Sequence, residues 1–333
     1  MRAAVISEPH SVSVEQVDDP TPGPGEVVIA VGACGICGTD LHIADGEFPP
    51  TPYPIVPGHE FAGEVVAVGA GVSGVTEGTR VAADPSLFCG ACAQCRRGRG
   101  NLCANWGAIG DTVDGAFAEY AAVPVGNLYP VPDTVTMREA ALIEPLSCAV
   151  HGFHVLSPAA GDSVLVVGAG TMGLLLTQLA ARHPGPDLTV VDTRADRLPK
   201  AGQLGASRTA ASIPEALEAR PDGFDHVVDA TGVPAAIEEG LGAVRRGGTF
   251  LVFGVAPEEA RVSVSPFRIY NDEITIRGSM AVLHSYGQAL DLLAARVVDP
   301  EPLLTEALPL NDFSSALEKV RRGDGLKTQV VPQ

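Results

Sequence analysis

The spacing of apolar and polar positions changes character part-way along the chain. Up to about residue 146 the apolar runs are short, at 27–31, 63–68 and 116–123, and Pro- and Gly-rich stretches separate them. That pattern predicts a small, irregular, strand-rich domain. From about Asp162 onward, apolar strands alternate with segments of helical periodicity. The segment SVLVVGAGTMGLLLTQLAAR predicts strand, tight turn and helix, and DLTVVD predicts a second strand. Further strands are expected at 224–231, 248–254 and 273–279, with helices near 195–204, 234–244 and 285–295. Alternation of this kind predicts an α/β domain with a doubly wound parallel sheet. A last helix at 312–321 and a terminal strand TQVV belong by periodicity to neither half.

Composition narrows the picture. The sequence has 333 residues, enough at roughly 150 per domain for two domains with real cores. Its net charge of −18, from 40 acidic and 22 basic residues, is repelled by phosphate backbones and anionic lipid, which argues against nucleic-acid and membrane partners. The opening residues hold no apolar stretch of signal-peptide length, and no run reaches the ~18 apolar residues of a membrane span, so a soluble cytoplasmic protein is expected. Five of the seven cysteines stand in C-x2-C or C-x2-C-x2-C spacing, which in a reducing compartment indicates metal rather than disulfides.

Gly168, Gly170 and Gly173 form G-x-G-x-x-G directly after the first strand of the second half and open its helix. The first glycine permits the turn, the second lets the backbone approach a pyrophosphate, and the third allows close helix–strand packing. Asp192 ends the next strand about 20 residues on, where a carboxylate accepts hydrogen bonds from a ribose 2′-OH and repels a 2′-phosphate. The pair predicts a dinucleotide, NAD in preference to NADP, although Arg194 and Arg197 lie close enough to blur that preference.

Two groups of side chains have the chemistry of metal ligands. Cys89, Cys92, Cys95 and Cys103 are spaced C-x2-C-x2-C-x7-C in one loop. Four thiolates on one segment close a tetrahedron about zinc and leave no open position, which is a structural site. The rival iron–sulfur motif wants its fourth cysteine after three more residues, where Arg99 stands. The second group is dispersed: Cys37, His59, Glu60 and Glu144. Singly each fits an ordinary buried or surface residue, yet one thiolate, one imidazole and carboxylates with room for water also make an open catalytic zinc site. Cys34 and Cys148 match no ligand position and are expected to be small buried residues.

These motifs, Cys37-Gly38-Thr39-Asp40-Leu41-His42, then Gly58-His59-Glu60-Phe61-Ala62-Gly63-Glu64-Val65, then the four-cysteine loop, then Gly168 to Gly173, fall in one order. The chain resembles the zinc-dependent medium-chain dehydrogenases over nearly its whole length. The resemblance implies a GroES-like catalytic domain from residues 1–146 and 283–333, carrying a zinc lobe at about 85–105, with a Rossmann NAD-binding domain at 147–282 inserted between. It implies two zinc ions per chain, a small-molecule alcohol substrate and a homodimer or homotetramer. Glu144 in Glu-Pro-Leu-Ser resembles the polyol branch, which includes sorbitol, threonine and glucose dehydrogenases, and there it would either ligate the metal or hold its water. Thr39 would take the alcohol proton and His42 would relay it to solvent. By the same match Met172 and Arg197 would line the adenosine side, and Phe253, Gly254, Val255, Ser279 and Met280 the nicotinamide side. The expected reaction is hydride transfer from a secondary alcohol of polyol, sugar, cyclitol or amino-alcohol type to NAD. Where sorbitol dehydrogenases carry an Arg-Tyr pair, this chain reads Ser279-Met280-Ala281-Val282-Leu283-His284, which leaves open a pathway-specific cyclitol or aminocyclitol substrate. The reading from another class is a non-catalytic NAD-binding redox sensor built on zinc thiolates. Intact Thr39 and His42 weigh against it, since a sensor needs no relay.

Overall fold

The computed structural model describes residues 1–48, 50–183, 185 and 187–332. The chain forms two compact units, Met1–Ser147 with Val282–Gln333, and Cys148–Ala281.

The first unit is built on the strand Glu26–Gly35, buried at seven of its ten positions and paired along both edges. Along one edge it pairs antiparallel with Glu60–Val68. The other edge is shared: Tyr120–Pro124 takes residues 26–30, and the terminal strand Lys327–Val331 takes Cys34 and Gly35. Arg80–Ala83 and Leu128–Pro130 extend the sheet beyond Glu60–Val68, and Leu304–Pro309 lies outside Lys327–Val331. The tail that periodicity left unassigned is therefore part of this sheet. Its helix Phe313–Arg321 presents Phe313, Ala316 and Leu317 to the core, where Phe313 meets Phe117 with ring centroids 4.6 Å apart. Arg321 holds Asp45 through two contacts, at 2.6 and 2.8 Å, and keeps that carboxyl below its usual range.

Local differences from the sequence reading have physical causes. The run at 116–123 becomes a strand only from Tyr120 to Pro124, because Phe117 and Ala118 serve the N-terminal strand Arg2–Glu8 instead. That strand and its partner Ser11–Gln16 form a hairpin absent from the reading.

The second unit holds six parallel strands in the order Arg208–Ala210, Asp187–Val191, Ser163–Val167, Phe224–Asp229, Val244–Val252 and Thr275–Gly278. Ser163–Val167 and Phe224–Asp229 are buried at every position, as strands covered on both faces must be. Val244–Val252 starts earlier than its apolar run suggests, with a register shift against Phe224–Asp229 near Gly247. The strand order reverses between Ser163–Val167 and Phe224–Asp229, which opens a crevice at their carboxyl ends. Among the described residues no helix is long and apolar enough to cross a membrane.

Gly168 turns out of the first strand at φ +104°, and Gly173 packs against it so closely that a Cβ on Gly173 would stand 1.8 Å from the Gly168 carbonyl oxygen. Backbone cannot yield as a side chain does, so Gly173→Ala is expected to destabilise the second unit by about 1–3 kcal/mol and to abolish dinucleotide binding. Chemical denaturation and NADH fluorescence titration check this; native stability with intact binding would contradict it.

Candidate active site and structural metal site

Cys37 caps the helix Gly38–Asp45 directly after the strand Glu26–Gly35, at a helix N-terminus that favours negative charge. Asp40, three residues on, accepts the Cys37 N–H at 2.7 Å and so fixes the residue that carries the sulfur. Glu60 begins the neighbouring strand, paired with Gly35, and His59 precedes it. This register brings one donor atom from each of Cys37, His59 and Glu60 within 4.8 Å of one another.

Each donor is held from behind by a different charged residue. Lys327, from the terminal strand, donates to both Glu60 oxygens at 2.7 and 2.6 Å and to the Ile36 carbonyl at 3.0 Å. The pair is almost wholly buried, with side chains 1% and 5% exposed. Burial alone would pull the Lys327 ammonium down, but the charges of Glu60, Cys37 and Glu144 hold it above its ordinary range. His59 Nδ1 lies 3.1 Å from Asp111 Oδ1 and 3.9 Å from Asp40 Oδ1. Burial pushes Asp40 up to about 7. Burial also opposes charge on His59, yet Asp111, then Cys37 and Asp40, hold it well above its usual value. The donor set, a thiolate, an imidazole and a carboxylate backed by further buried carboxylates, fits a zinc ion with an open position.

Thr39 brings its hydroxyl to 3.9 Å from the Cys37 sulfur. His42, on the same helix, is 42% exposed and its Nδ1 meets Glu47 at 2.9 Å, at the solvent boundary. Glu144 is buried in the first turn of Ile143–Leu156. Its charge reaches Lys327, but its carboxylate stands outside the group formed by Cys37, His59 and Glu60.

The four loop cysteines also converge within 4.8 Å. Cys92 and Cys95 sulfurs are 3.5 Å apart, as are those of Cys103 and Cys89. Backbone N–H groups of Cys89, Cys92, Cys95 and Asn105 point at the sulfurs at 3.3–3.5 Å, the arrangement that favours thiolates. The Cys95 N–H brings the Cys92 thiol down to about 6, while burial and the adjoining Cys92 push Cys95 up to about 12. Thiols crowded this closely share protons until a cation replaces them, and four soft donors fit tetrahedral zinc.

In the second unit Asp192 accepts the Ala169 N–H at 2.6 Å and the Arg194 N–H at 2.7 Å, so it braces the glycine turn as well as facing the crevice. Arg197 Nη1 approaches Asp192 at 3.8 Å. A Cβ on Gly170 would meet nothing nearer than Arg197 Nη1 at 3.8 Å, which leaves the turn open to a pyrophosphate. Met172 follows in the first turn of the helix Thr171–Ala181. Across the crevice, the Phe253 ring lies where a Cβ on Gly152 would come within 2.6 Å, Gly254 N–H donates to Asp229 O at 2.8 Å, and Val255 is 82% exposed. Met280 is partly exposed, and the Ser279 hydroxyl is buried without a hydrogen-bond partner among the described residues. An open glycine turn, an exposed apolar rim and an unsatisfied buried hydroxyl fit a dinucleotide.

The family model for the alcohol dehydrogenase GroES-like domain matches residues 23–133, and that for zinc-binding dehydrogenases matches residues 171–295. D-arabinitol dehydrogenase 1 of Uromyces fabae is 36% identical over 341 residues, covering 100% of this chain and 97% of that protein. The chain belongs to the zinc-dependent medium-chain dehydrogenases. D-altritol 5-dehydrogenase of Agrobacterium fabrum is 38% identical across 87% of each chain. Among solved structures, a zinc-binding dehydrogenase of Sinorhizobium meliloti bound to NADP superposes with a TM-score of 0.95 at 34% identity, covering 99% of both chains.

Within this dehydrogenase, the motif residues Cys37, His59 and Glu60 come together although 22 residues of sequence separate the first two. Glu144 reaches the neighbourhood but not the group. Three residues were missed by the sequence reading: Lys327, Asp111 and Asp229. Asp229 is fully buried at the end of its strand, where it accepts the Thr231 N–H and hydroxyl at 3.0 and 2.6 Å and the Gly232 N–H at 3.1 Å, shaping the crevice floor. Lone acidic or basic residues in strands and loops carry no periodic signal, and Lys327, the first residue of the mixed strand KTQVV, carries none either.

Lys327→Met is expected to leave the Glu60 carboxylate buried without a partner, at a cost of about 3–5 kcal/mol in the metal-free protein. Zinc should recover part of that loss, since a dication replaces the missing charge. Unfolding of the metal-free variant at the wild-type midpoint would contradict the role given to this pair.

Proposed function

We propose that this dehydrogenase oxidises a secondary alcohol of a polyol, sugar, cyclitol or amino alcohol to the ketone, with NAD as hydride acceptor. Each turnover converts one alcohol and NAD into ketone, NADH and a proton. The observation that carries the reading is the convergence of three unlike donors, half-buried Cys37 and buried His59 and Glu60. We assign them as ligands of a catalytic zinc, with Glu144 beside them, and the four loop cysteines as ligands of a second, structural zinc. Bound there, the catalytic metal supplies the Lewis acidity that lets an alcohol proton leave near neutral pH, and the nicotinamide supplies the hydride acceptor.

The chain's own residues handle the proton. Thr39, next to the Cys37 sulfur, accepts it at its hydroxyl and releases its own towards His42, which meets solvent beside Glu47. Asp192 supports NAD over NADP, because its carboxylate repels a 2′-phosphate. Arg194, which could offset that repulsion, is drawn to Asp196 at 3.1 Å. The adenosine side is assigned to Met172 and Arg197, and the nicotinamide side to Phe253, Gly254, Val255, Ser279 and Met280. A polyol substrate is supported by the arabinitol and altritol dehydrogenases among the relatives.

A homo-oligomer, dimer or tetramer, is supported by the edge strand Thr275–Gly278. All four of its residues are exposed, and Phe267, Tyr270 and Ile276 stand exposed in the same part of the unit. An unpaired edge with apolar surroundings is the kind of surface that pairs with another chain. A cytoplasmic setting suits the four reduced thiols.

The reading is tested by incubating zinc-loaded protein with NAD or NADP and a panel of pentitols, hexitols, cyclitols and amino alcohols. Absorbance at the NADH band is expected with at least one polyol-type alcohol and is expected to be stronger with NAD than with NADP; silence across the panel with both zinc sites filled would overturn it. Thr39→Ala should lower turnover about 100-fold with zinc content unchanged, and parallel loss of zinc and turnover would remove Thr39 from the relay.

A further inference from the structure

We infer that Asp111 is the positioning residue that orients His59 for metal binding, an inference that rests on the catalytic-zinc reading above. A ligating imidazole needs a fixed ring, and proteins commonly fix it by giving the nitrogen away from the metal an acidic partner. Two buried carboxylates face His59 here, and they differ in position. Asp40 already has one oxygen committed to the Cys37 N–H at 2.7 Å, and its other oxygen stands 3.9 Å from His59 Nδ1, beyond hydrogen-bond reach. Asp111 Oδ1 is 3.1 Å from the same nitrogen. His59 Nδ1 and both carboxylate oxygens are buried without an aligned hydrogen-bond partner among the described residues, and of the two oxygens Asp111 Oδ1, at 3.1 Å against 3.9 Å, is the one within hydrogen-bond distance.

The backbone delivers Asp111 to that place. Gly110, at φ +90°, lies against Gly58 so closely that a Cβ on it would come within 2.4 Å of the Gly58 carbonyl. The loop is tied to the same segment by Gly115 N–H to Val56 O at 2.7 Å and Ala116 N–H to Gly58 O at 2.9 Å. Asp111 itself is fixed at both ends of its peptide unit, donating to Ala108 O at 3.1 Å and accepting the Thr51 hydroxyl at 2.9 Å. Asp40 thus positions Cys37, Lys327 positions Glu60, and Asp111 positions His59.

The test uses zinc-loaded full-length wild type, Asp111→Ala and Asp111→Asn, read by the rate at which a chelator strips zinc. Asp111→Ala should lose the catalytic zinc about 10–100-fold faster, with Asp111→Asn, which keeps an acceptor without charge, in between. The four-cysteine zinc should stay in all three and serves as the control for folding. Cobalt substituted into the catalytic site should show altered visible bands in Asp111→Ala and less altered bands in Asp111→Asn, a change that a loss of loop stability alone would not grade in this way. Should Asp111→Ala fail to fold, Asp111→Asn decides by the same two readouts. Wild-type release rates and wild-type cobalt bands in a folded variant would overturn the role of Asp111 while leaving the zinc reading intact. Wild-type protein that holds zinc only on the four cysteines would overturn both.

Discussion

The buried ion pair between Glu60 and Lys327 is the contact on which the candidate active site depends. Two charges withdrawn from water cost several kcal/mol each, and their attraction repays that only when geometry is good and the remaining hydrogen bonds are made. Here Lys327 spans both Glu60 oxygens and spends its third donor on the carbonyl of Ile36, the residue before Cys37. The Lys327 ammonium faces Glu60, the Cys37 sulfur and Glu144, while Asp111 and Asp40 face His59. Burial raises Asp40 above its usual range, and Asp111 and Asp40 raise His59 against its own burial. A dication answers that imbalance, and binding it then stabilises the fold as well as the chemistry.

The same pair ties the strand Lys327–Val331 to the candidate site. Lys327 is contributed by a strand that follows the second unit in sequence and pairs through Gln329 and Val330 with Gly35 and Cys34, at the end of the strand leading to Cys37. The helix before it is locked by Phe313 against Phe117 and by Arg321 on Asp45. The C-terminal segment is therefore part of the site's electrostatics and not an appendage.

Much of this was legible in the sequence. The glycine turn, the strand alternation of the second half and the four-cysteine spacing are local patterns whose chemistry follows from a few adjacent residues. Cys37 and the His59–Glu60 pair could be named from their chemical types, but their meeting depends on the register of Gly35 against Glu60, a non-local fact. Asp111 and Asp229 were not legible, because an acidic residue in a loop or at a strand end looks the same whether it braces a histidine, closes a turn or faces water. Glu144 illustrates the reverse limit: its motif drew attention to it, while its carboxylate stands apart from the three gathered donors.

The central claim is that two chemically distinct zinc sites exist in one chain, one of four sulfurs and one of mixed donors. Anomalous diffraction at the zinc absorption edge from crystals of the zinc-loaded protein tests it most directly. The account predicts two peaks per chain, one enclosed by Cys89, Cys92, Cys95 and Cys103 and one between Cys37, His59 and Glu60. A single peak at the four cysteines, or a second peak away from the mixed donors, would contradict it.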